Sequence, residues 1–361
     1  KSTTQLMWSM GFISLVITAF VYACKYWILH GVFGQIEADV MHHADVYLLI
    51  VTASIPFIAL YNGGAAVFRA MGNSEVSMKV SLLMNAINVS GNAILIYGFH
   101  CGTEGVAIPT LVSRFVAAFI IIKLLLKDKW SLHLERTFRF NPDWSMIRKI
   151  LSVGIPNGLE NSMFQLGKVL VLSLVSTFGT YAIAANAVSN VITLFSILPG
   201  QAICLAVTTV IARCVGAGDY EQAKYYNKKL ILLTHIGMVI TIFIVFITLP
   251  FILKVYNLSE AASEATRHII WFHGCCAILI WAESFTLPAT FRACGDAKAC
   301  MIISTVSMWI FRVGASYILG KNLGLGVFGV WVAMIIDWTF RSLLFGIRYF
   351  SGKWKKHALV S

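Results

Sequence analysis

The chain of 361 residues contains an internal repeat with an offset of 223 residues. Residues 68–73 read Phe-Arg-Ala-Met-Gly-Asn, and residues 291–296 read Phe-Arg-Ala-Cys-Gly-Asp. The same offset, applied without a gap, aligns Gly91 with Gly314. A repeat of this length indicates that the chain is built from two related halves, which must share a fold.

The amino-acid composition predicts that both halves lie in a membrane. Hydrophobic residues make up 58% of the chain, charged residues only 12%, and the mean hydropathy is +0.78, which is too much apolar surface for a water-soluble core. A membrane-crossing helix needs about 20 mainly apolar residues. Ten segments meet this requirement, at approximately 6–29, 45–67, 78–98, 105–126, 150–178, 187–212, 230–253, 268–290, 299–319 and 326–350. They are too long and too uniformly apolar for barrel strands, so we expect helices.

The net charge of +12 comes from basic residues on every second connection between these spans, which argues against a nucleic-acid partner. Nineteen of the 28 lysines and arginines lie on that side: Lys1, Arg69, Lys79, Lys127, Lys129, Arg136, Arg139, Arg148, Lys149, Arg213, Lys224, Lys228, Lys229, Arg292, Lys298, Arg348, Lys353, Lys355 and Lys356. The alternate connections hold Lys254, Arg267 and Lys321. The positive-inside rule therefore predicts a multi-pass protein of the plasma membrane with both termini in the cytosol.

The repeat also predicts the domain organisation. It shifts the first span onto the seventh, an even step of six, so the halves run in the same direction and are related by an axis along the membrane normal. Spans five and six then lack partners unless two helices once preceded the first residue. We therefore expect an all-α integral membrane protein of two parallel-related six-helix bundles, N-terminally truncated, with ten of twelve spans present. The predicted domains are an incomplete four-span lobe at 1–130, a cytosolic linker at 131–149 and a six-span lobe at 150–361.

Several motifs, taken in order, resemble the multidrug and toxic compound extrusion (MATE) family. They are the turn at 68–73 with its copy at 291–296, Gly154-Ile155-Pro156, the Ala-Ala-Asn-Ala-Val run at 184–188, Gly216-Ala217-Gly218-Asp219 and the Gly-Val-Trp-Val-Ala-Met stretch at 329–334. The resemblance covers essentially the whole chain, from the family's third helix to its twelfth. It implies an antiporter that exports organic, often cationic, compounds in exchange for Na⁺ or H⁺ by alternating access.

Other protein classes leave signatures that this sequence lacks. It contains no Gly-x-x-x-x-Gly-Lys nucleotide loop, no serine nucleophile motif and no metal-binding cluster, so we expect neither an enzyme nor a cofactor or metal site. The expected partners are a small organic, cationic substrate and membrane lipid, and the expected assembly is a monomer. Two alternatives stay open. One is a lipid-linked precursor flippase of the same broad fold, which many cavity cations would favour and the few in this sequence weaken. The other is a non-transporting membrane structural or receptor protein, against which the repeat and the buried carboxylates argue.

Ionisable residues within the predicted spans are the candidates for ion or substrate binding, because a charge in hydrocarbon is costly unless it has a function or a partner. They are Glu160, Lys168, Glu283, Arg312, Asp337 and Arg341. Glu160 is the leading coupling residue, since a buried carboxylate can exchange a proton or hold Na⁺ or an organic cation. The alternative is a structural salt bridge of Glu160 with Lys168 or with another helix.

The resemblance bears on Glu160 in two ways. One branch of the family couples protons through an aspartate of its first helix, which has no counterpart here. Another branch places an ion-binding glutamate in its seventh helix, and Glu160 lies about one turn from that position. Glu283 aligns with Leu60 under the repeat, and Asp337 with Ser113, so the C-terminal lobe is the more acidic half and the better candidate for a cation.

The remaining candidates have structural alternatives. Asp337 and Arg341 are spaced to pair along one helix, with Arg312 within reach, as a structural network or a cation site. Asn85, Asn88 and Asn92 share a helix face and either line a cavity or bond neighbouring helices. The residues of the repeated turns are predicted to bond helix ends rather than substrate; they are Arg69, Gly72, Arg292 and Gly295.

Overall fold

The computed structural model describes residues 2–32, 38–127, 130–135 and 142–357, and these ranges contain helices and no strand. The helices are α1 Ser2–Tyr26, α2 Ala38–Ala53, α3 Ile55–Ala70, α4 Ser74–Ala93, α5 Glu104–Leu125, α6 Trp144–Ser176, α7 Thr180–Gly216, α8 Tyr220–Tyr256, α9 Glu260–Trp281, α10 Leu287–Ala293, α11 Ala297–Ser307 and α12 Gly326–Phe350. Wider π-helical turns occupy Trp27–Val32, Ile94–Gly98, Ala282–Thr286, Met308–Gly314 and Tyr317–Asn322, and a short 3₁₀ helix occupies Lys353–His357.

The prediction of an all-α membrane protein is confirmed. Within the described residues, nine helical stretches are long and apolar enough to cross a membrane. The remaining predicted span, the fifth at 150–178, corresponds to α6, which is a continuous helix of 33 residues but is not among the nine. Polar side chains such as Asn157, Asn161 and Gln165 interrupt the apolar character of α6. The number of crossings therefore stays a prediction.

The chain divides into two compact units, Lys1–Ile150 and Leu151–Ser361. The N-terminal unit has one apolar core, in which Phe68, Ile121 and Leu125 are fully buried. The C-terminal unit has its largest core around Trp281 and Trp331. Residues 136–141 of the predicted linker lie outside the described residues.

The repeated motif forms the same turn in both units. Gly72 and Gly295 end their helices with φ of 81° and 86°, a left-handed conformation that a residue without Cβ adopts most easily. In residues 68–73 and again in 291–296, the N–H of the sixth residue donates to the carbonyl of the first at 2.9 Å. This six-to-one bond satisfies a helix-end carbonyl and stops the helix before the next one begins.

The repeat also extends to irregular helix geometry. The π-helical turn at Ile94–Gly98 follows α4, and its counterpart at Tyr317–Asn322 lies in the equivalent place after α11. In the N-terminal unit α4 packs closely on α5, because a Cβ added to Gly91 would lie 2.7 Å from Cβ of Pro109. The two halves thus share the repeated turn and this π-helical turn, as expected of related sequences.

Candidate functional site

The C-terminal unit contains a cavity of about 700 Å³, within the range of small-molecule sites in proteins. Residues of α6, α7, α9 and α12 line it. The π-helical turns Ala282–Thr286 and Met308–Gly314 contribute Phe285 and Arg312. Its aromatic lining residues are Phe164, Trp281, Phe285, Trp331 and Trp338. Such a lining suits a ligand with a flat apolar body.

The charged residues that line this cavity are cations. Lys168, Arg292 and Arg312 contribute to the wall, and no aspartate or glutamate of the described residues does. Lys168 Nζ lies 4.9 Å from the ring centroid of Phe164, and Arg312 Cζ lies 5.2 Å from the same centroid, both within cation–π range. We expected this half to be the better site for a cation, which needs an acidic lining. The charged side chains that line the cavity are instead positive.

Glu160 forms an ion pair with Arg292 and not with Lys168. Arg292 Nη2 lies 2.7 Å from Oε1 and 2.8 Å from Oε2 of Glu160, whose side chain is only 9% exposed. We expected the side chain of Arg292 to bond a helix-end carbonyl, but its guanidinium pairs with Glu160 instead. The backbone of the turn satisfies the helix end. The guanidinium of Arg292 joins α10 to α6 and reaches the cavity.

Glu283 pairs with His235, a residue that the sequence did not single out. His235 Nε2 lies 3.0 Å from Oε1 of Glu283, and His235 Nδ1 lies 2.7 Å from the carbonyl of Ile278. A carbonyl only accepts hydrogen bonds, so Nδ1 carries a hydrogen. The bond between Nε2 and Oε1 then needs a second proton, on the imidazole or on the carboxyl group. The geometry of the pair thus has a place for one proton between the two side chains.

Asp337 and Arg341 are both buried, but they do not form the predicted ion pair with each other. Asp337 Oδ1 accepts a hydrogen bond from Ser307 Oγ at 2.5 Å, and Oδ2 has no hydrogen-bond partner within the described residues. The guanidinium of Arg341 lies over Phe285 at 4.6 Å. Arg312 and Arg341 interact with Asp337 electrostatically, at longer range than an ion pair.

The candidates of the N-terminal unit occupy different environments. Asn88 Nδ2 donates to Thr110 Oγ1 at 3.0 Å, and Asn92 Nδ2 donates to Asn88 Oδ1 at 3.3 Å. The first bond joins α4 to α5, which favours helix–helix bonding for Asn88, whereas the second lies within α4. Asn85 on the same helix is exposed, and Arg69 is half-buried near the end of α3.

The fold and the cavity together define a multi-pass helical membrane protein with room for a small molecule in one unit. The MatE family model matches residues 1–94 and 156–318 of the chain. The protein belongs to this family, whose members are transporters and not enzymes. The alternative of a non-transporting structural or receptor protein is therefore excluded.

Two curated relatives align with nearly the whole chain. A probable multidrug resistance protein, NorM of Thermotoga maritima, is 25% identical over 370 residues, covering 100% of this chain and 78% of its own length. The uncharacterized transporter YisQ of Bacillus subtilis is 27% identical, with 95% and 75% covered. The chain thus spans about three quarters of the length of each relative.

Solved structures share the fold at low sequence identity. A MATE crystal structure in the bent conformation superposes with a TM-score of 0.87 at 18% identity, covering 98% of this chain and 78% of that one. A MOP superfamily transporter from Pyrococcus furiosus, described as having a binding pocket of reverse polarity, gives 0.84 at 19% identity, with 97% and 83% covered. These likenesses concern the fold alone.

Proposed function

We propose that the protein exports organic compounds across the plasma membrane in exchange for protons. Three observations support this proposal: membership of a transporter family, relatives named as multidrug resistance proteins, and a cavity of about 700 Å³ with an aromatic wall. In this proposal both termini lie in the cytosol, as the distribution of basic residues predicts, and the monomer is the transporting unit.

The His235–Glu283 pair is the observation that carries the choice of ion. His235 lies 15 residues after Tyr220, the first residue of α8, which is about 22 Å along the helix and therefore inside the apolar part of the span. Histidine is the side chain whose charge changes most readily near physiological pH. Na⁺ would need several oxygen ligands, whereas this pair offers one nitrogen and one carboxylate at hydrogen-bond distance.

Loss of a proton from this pair changes how α8 contacts the π-helical turn Ala282–Thr286. With one proton shared, Nε2 and Oε1 attract each other at 3.0 Å. Without it, a nitrogen lone pair faces a carboxylate, and the contact becomes repulsive. Protonation and deprotonation thus favour two arrangements of these elements, which is the requirement for coupling an ion to alternating access.

The test uses the purified chain in liposomes, with pH and Na⁺ gradients imposed separately. Transport of ethidium and of 8-anilinonaphthalene-1-sulfonate is followed by fluorescence. A pH gradient should drive transport, and His235→Gln and Glu283→Gln should remove that dependence. His268→Gln on α9 is the matched control, because His268 is exposed and should leave transport unchanged. Transport driven by Na⁺ alone would contradict the choice of the proton but not export itself.

A lipid-linked precursor flippase is the second candidate, and one observation favours it. Lys168 and Arg312 line the cavity, and neither forms an ion pair with an acidic residue in the described part of the chain, so both are placed to bind a phosphate headgroup. The match to the MatE family model supports export of other organic compounds instead. Movement of a fluorescent polyprenyl phosphate between leaflets of the same liposomes, without transport of either soluble dye, would favour the flippase.

A further inference from the structure

Two cations share one aromatic ring in the cavity wall. Since Lys168 Nζ and Arg312 Cζ lie 4.9 Å and 5.2 Å from the centroid of Phe164, they are at most about 10 Å apart. Neither side chain forms a hydrogen bond or an ion pair within the described residues. Like charges repel more strongly where water is partly excluded. A negatively charged group in the cavity would relieve this repulsion.

Two other arginines of the same unit form ion pairs with acidic residues. Arg292 pairs with Glu160 at 2.7 Å, and Arg348 pairs with Asp296 at 2.5 Å. Arg341 forms no ion pair within the described residues, but it is buried behind Phe285 and does not line the cavity. The fold therefore leaves two cavity-facing cations, Lys168 and Arg312, available for a ligand.

The rest of the cavity is suited to an apolar body. Trp331 and Trp338 each pack edge-on against the ring of His273, at 5.4 Å and 5.2 Å, which holds both indoles in place. Trp281 stacks on Phe285 at 5.0 Å. These rings form a preorganised apolar wall that can contact a flat ligand at little cost in side-chain entropy.

We infer that this cavity binds an organic anion, in which an aromatic or other apolar body carries a sulfonate, carboxylate or phosphate group. The inference rests on the proposed export function and names the substrate class, without depending on which ion is exchanged. An anion is also a favourable compound to export. A potential of 100 mV, inside negative, favours the exit of one negative charge by about fiftyfold.

Binding is measured on the purified full chain in nanodiscs with no gradient, after subtraction of empty nanodiscs. The probes are 8-anilinonaphthalene-1-sulfonate and N-phenyl-1-naphthylamine, which share their rings and differ in the sulfonate. The sulfonate should bind more tightly. Lys168→Gln and Arg312→Gln should each weaken sulfonate binding about tenfold and leave naphthylamine binding within about twofold, because each removes a charge-assisted hydrogen bond.

Two further variants test whether charge or folding is responsible. Lys229→Gln is the matched control: Lys229 Nζ lies over Tyr225 at 5.6 Å and outside the cavity lining, so sulfonate binding should not change. Lys168→Arg keeps the charge and should keep the affinity. Equal binding of the two probes, with no effect of Lys168→Gln or Arg312→Gln, would overturn the inference.

Competition identifies the source of the anion. Displacement of the fluorescent probe by water-soluble naphthalene-2-sulfonate supports a soluble organic anion, and displacement only by a polyprenyl phosphate in the nanodisc supports a lipid-linked one. The two proposals also fail separately. Proton-driven ethidium transport without sulfonate binding refutes the anion site and leaves the exporter, whereas sulfonate binding without transport of any dye refutes the exporter and leaves the site.

Discussion

Arg292 bonds both carboxylate oxygens of Glu160 through a single nitrogen, at 2.7 Å and 2.8 Å, and so joins α10 to α6. The carboxylate is almost completely buried, whereas the guanidinium reaches the cavity with 25% of its side chain exposed. Removing one partner would leave the other charge without compensation in a low-dielectric environment. The pair therefore stabilises the contact between α10 and α6 in the cavity wall, and it places a positive charge at the cavity surface.

The first prediction concerns the stability of this pair. Arg292→Gln should lower the free energy of unfolding by about 3–5 kcal/mol, because Glu160 is left buried and unpaired. The double variant Glu160→Gln with Arg292→Gln should lose less than the two single variants combined, since the residues interact directly. The apparent melting temperature of the detergent-solubilised protein measures both effects.

The control for this cycle is the exposed pair of Lys224 with Glu221, at 2.6 Å. Lys224→Gln should leave the melting temperature unchanged, because solvent screens an exposed ion pair. Strict additivity of the Glu160 and Arg292 variants would mean that their contact contributes nothing.

The second prediction separates the two candidate coupling carboxylates. Oε1 of Glu283 lies 3.0 Å from Nε2 of His235, whereas both oxygens of Glu160 accept hydrogen bonds from Arg292. The rate of dye transport by the wild type should therefore depend on pH, and Glu283→Gln should flatten that profile. Glu160→Gln should keep the pH profile of the protein that remains folded. If the pH profile were flat in Glu160→Gln and not in Glu283→Gln, Glu160 would be the coupling residue.

The third prediction concerns Asp337, which is fully buried and has one hydrogen-bonded oxygen. Ser307→Ala would leave both carboxylate oxygens without a side-chain donor, and should cost about 1–3 kcal/mol of stability. The hydroxyl of Ser351 bonds a backbone carbonyl at an exposed position, so Ser351→Ala should have little effect. Both are measured by thermal unfolding, and equal losses would show that the bond to Asp337 is unimportant.

The sequence predicted the regular parts of the fold because their causes are local. In lipid every backbone polar group must be satisfied within its own segment, so long apolar stretches indicate helices. The repeated turn was predictable as well, since a glycine such as Gly72 or Gly295 marks a left-handed helix end. These features need no knowledge of distant contacts.

The site was less predictable because its contacts join distant residues. His235 lies 48 residues from Glu283, and a single histidine in an apolar helix gives no local signal of its partner. Glu160 and Arg292 are 132 residues apart. Glu283 and Arg312 both lie in π-helical turns, whose shifted hydrogen bonds arise from packing and turn a side chain away from the face that an α-helical period predicts.

The fourth prediction uses the close approach of α7 to the aromatic wall. A Cβ added to Gly200 would lie 2.2 Å from Cζ3 of Trp281, so Gly200→Ala must displace an indole that lines the cavity. We expect weaker binding of 8-anilinonaphthalene-1-sulfonate and a shifted tryptophan emission. Gly216→Ala, at the end of the same helix with no atom within 4 Å of its added Cβ, should change neither. Wild-type binding by Gly200→Ala would show that Trp281 takes no part in the ligand site.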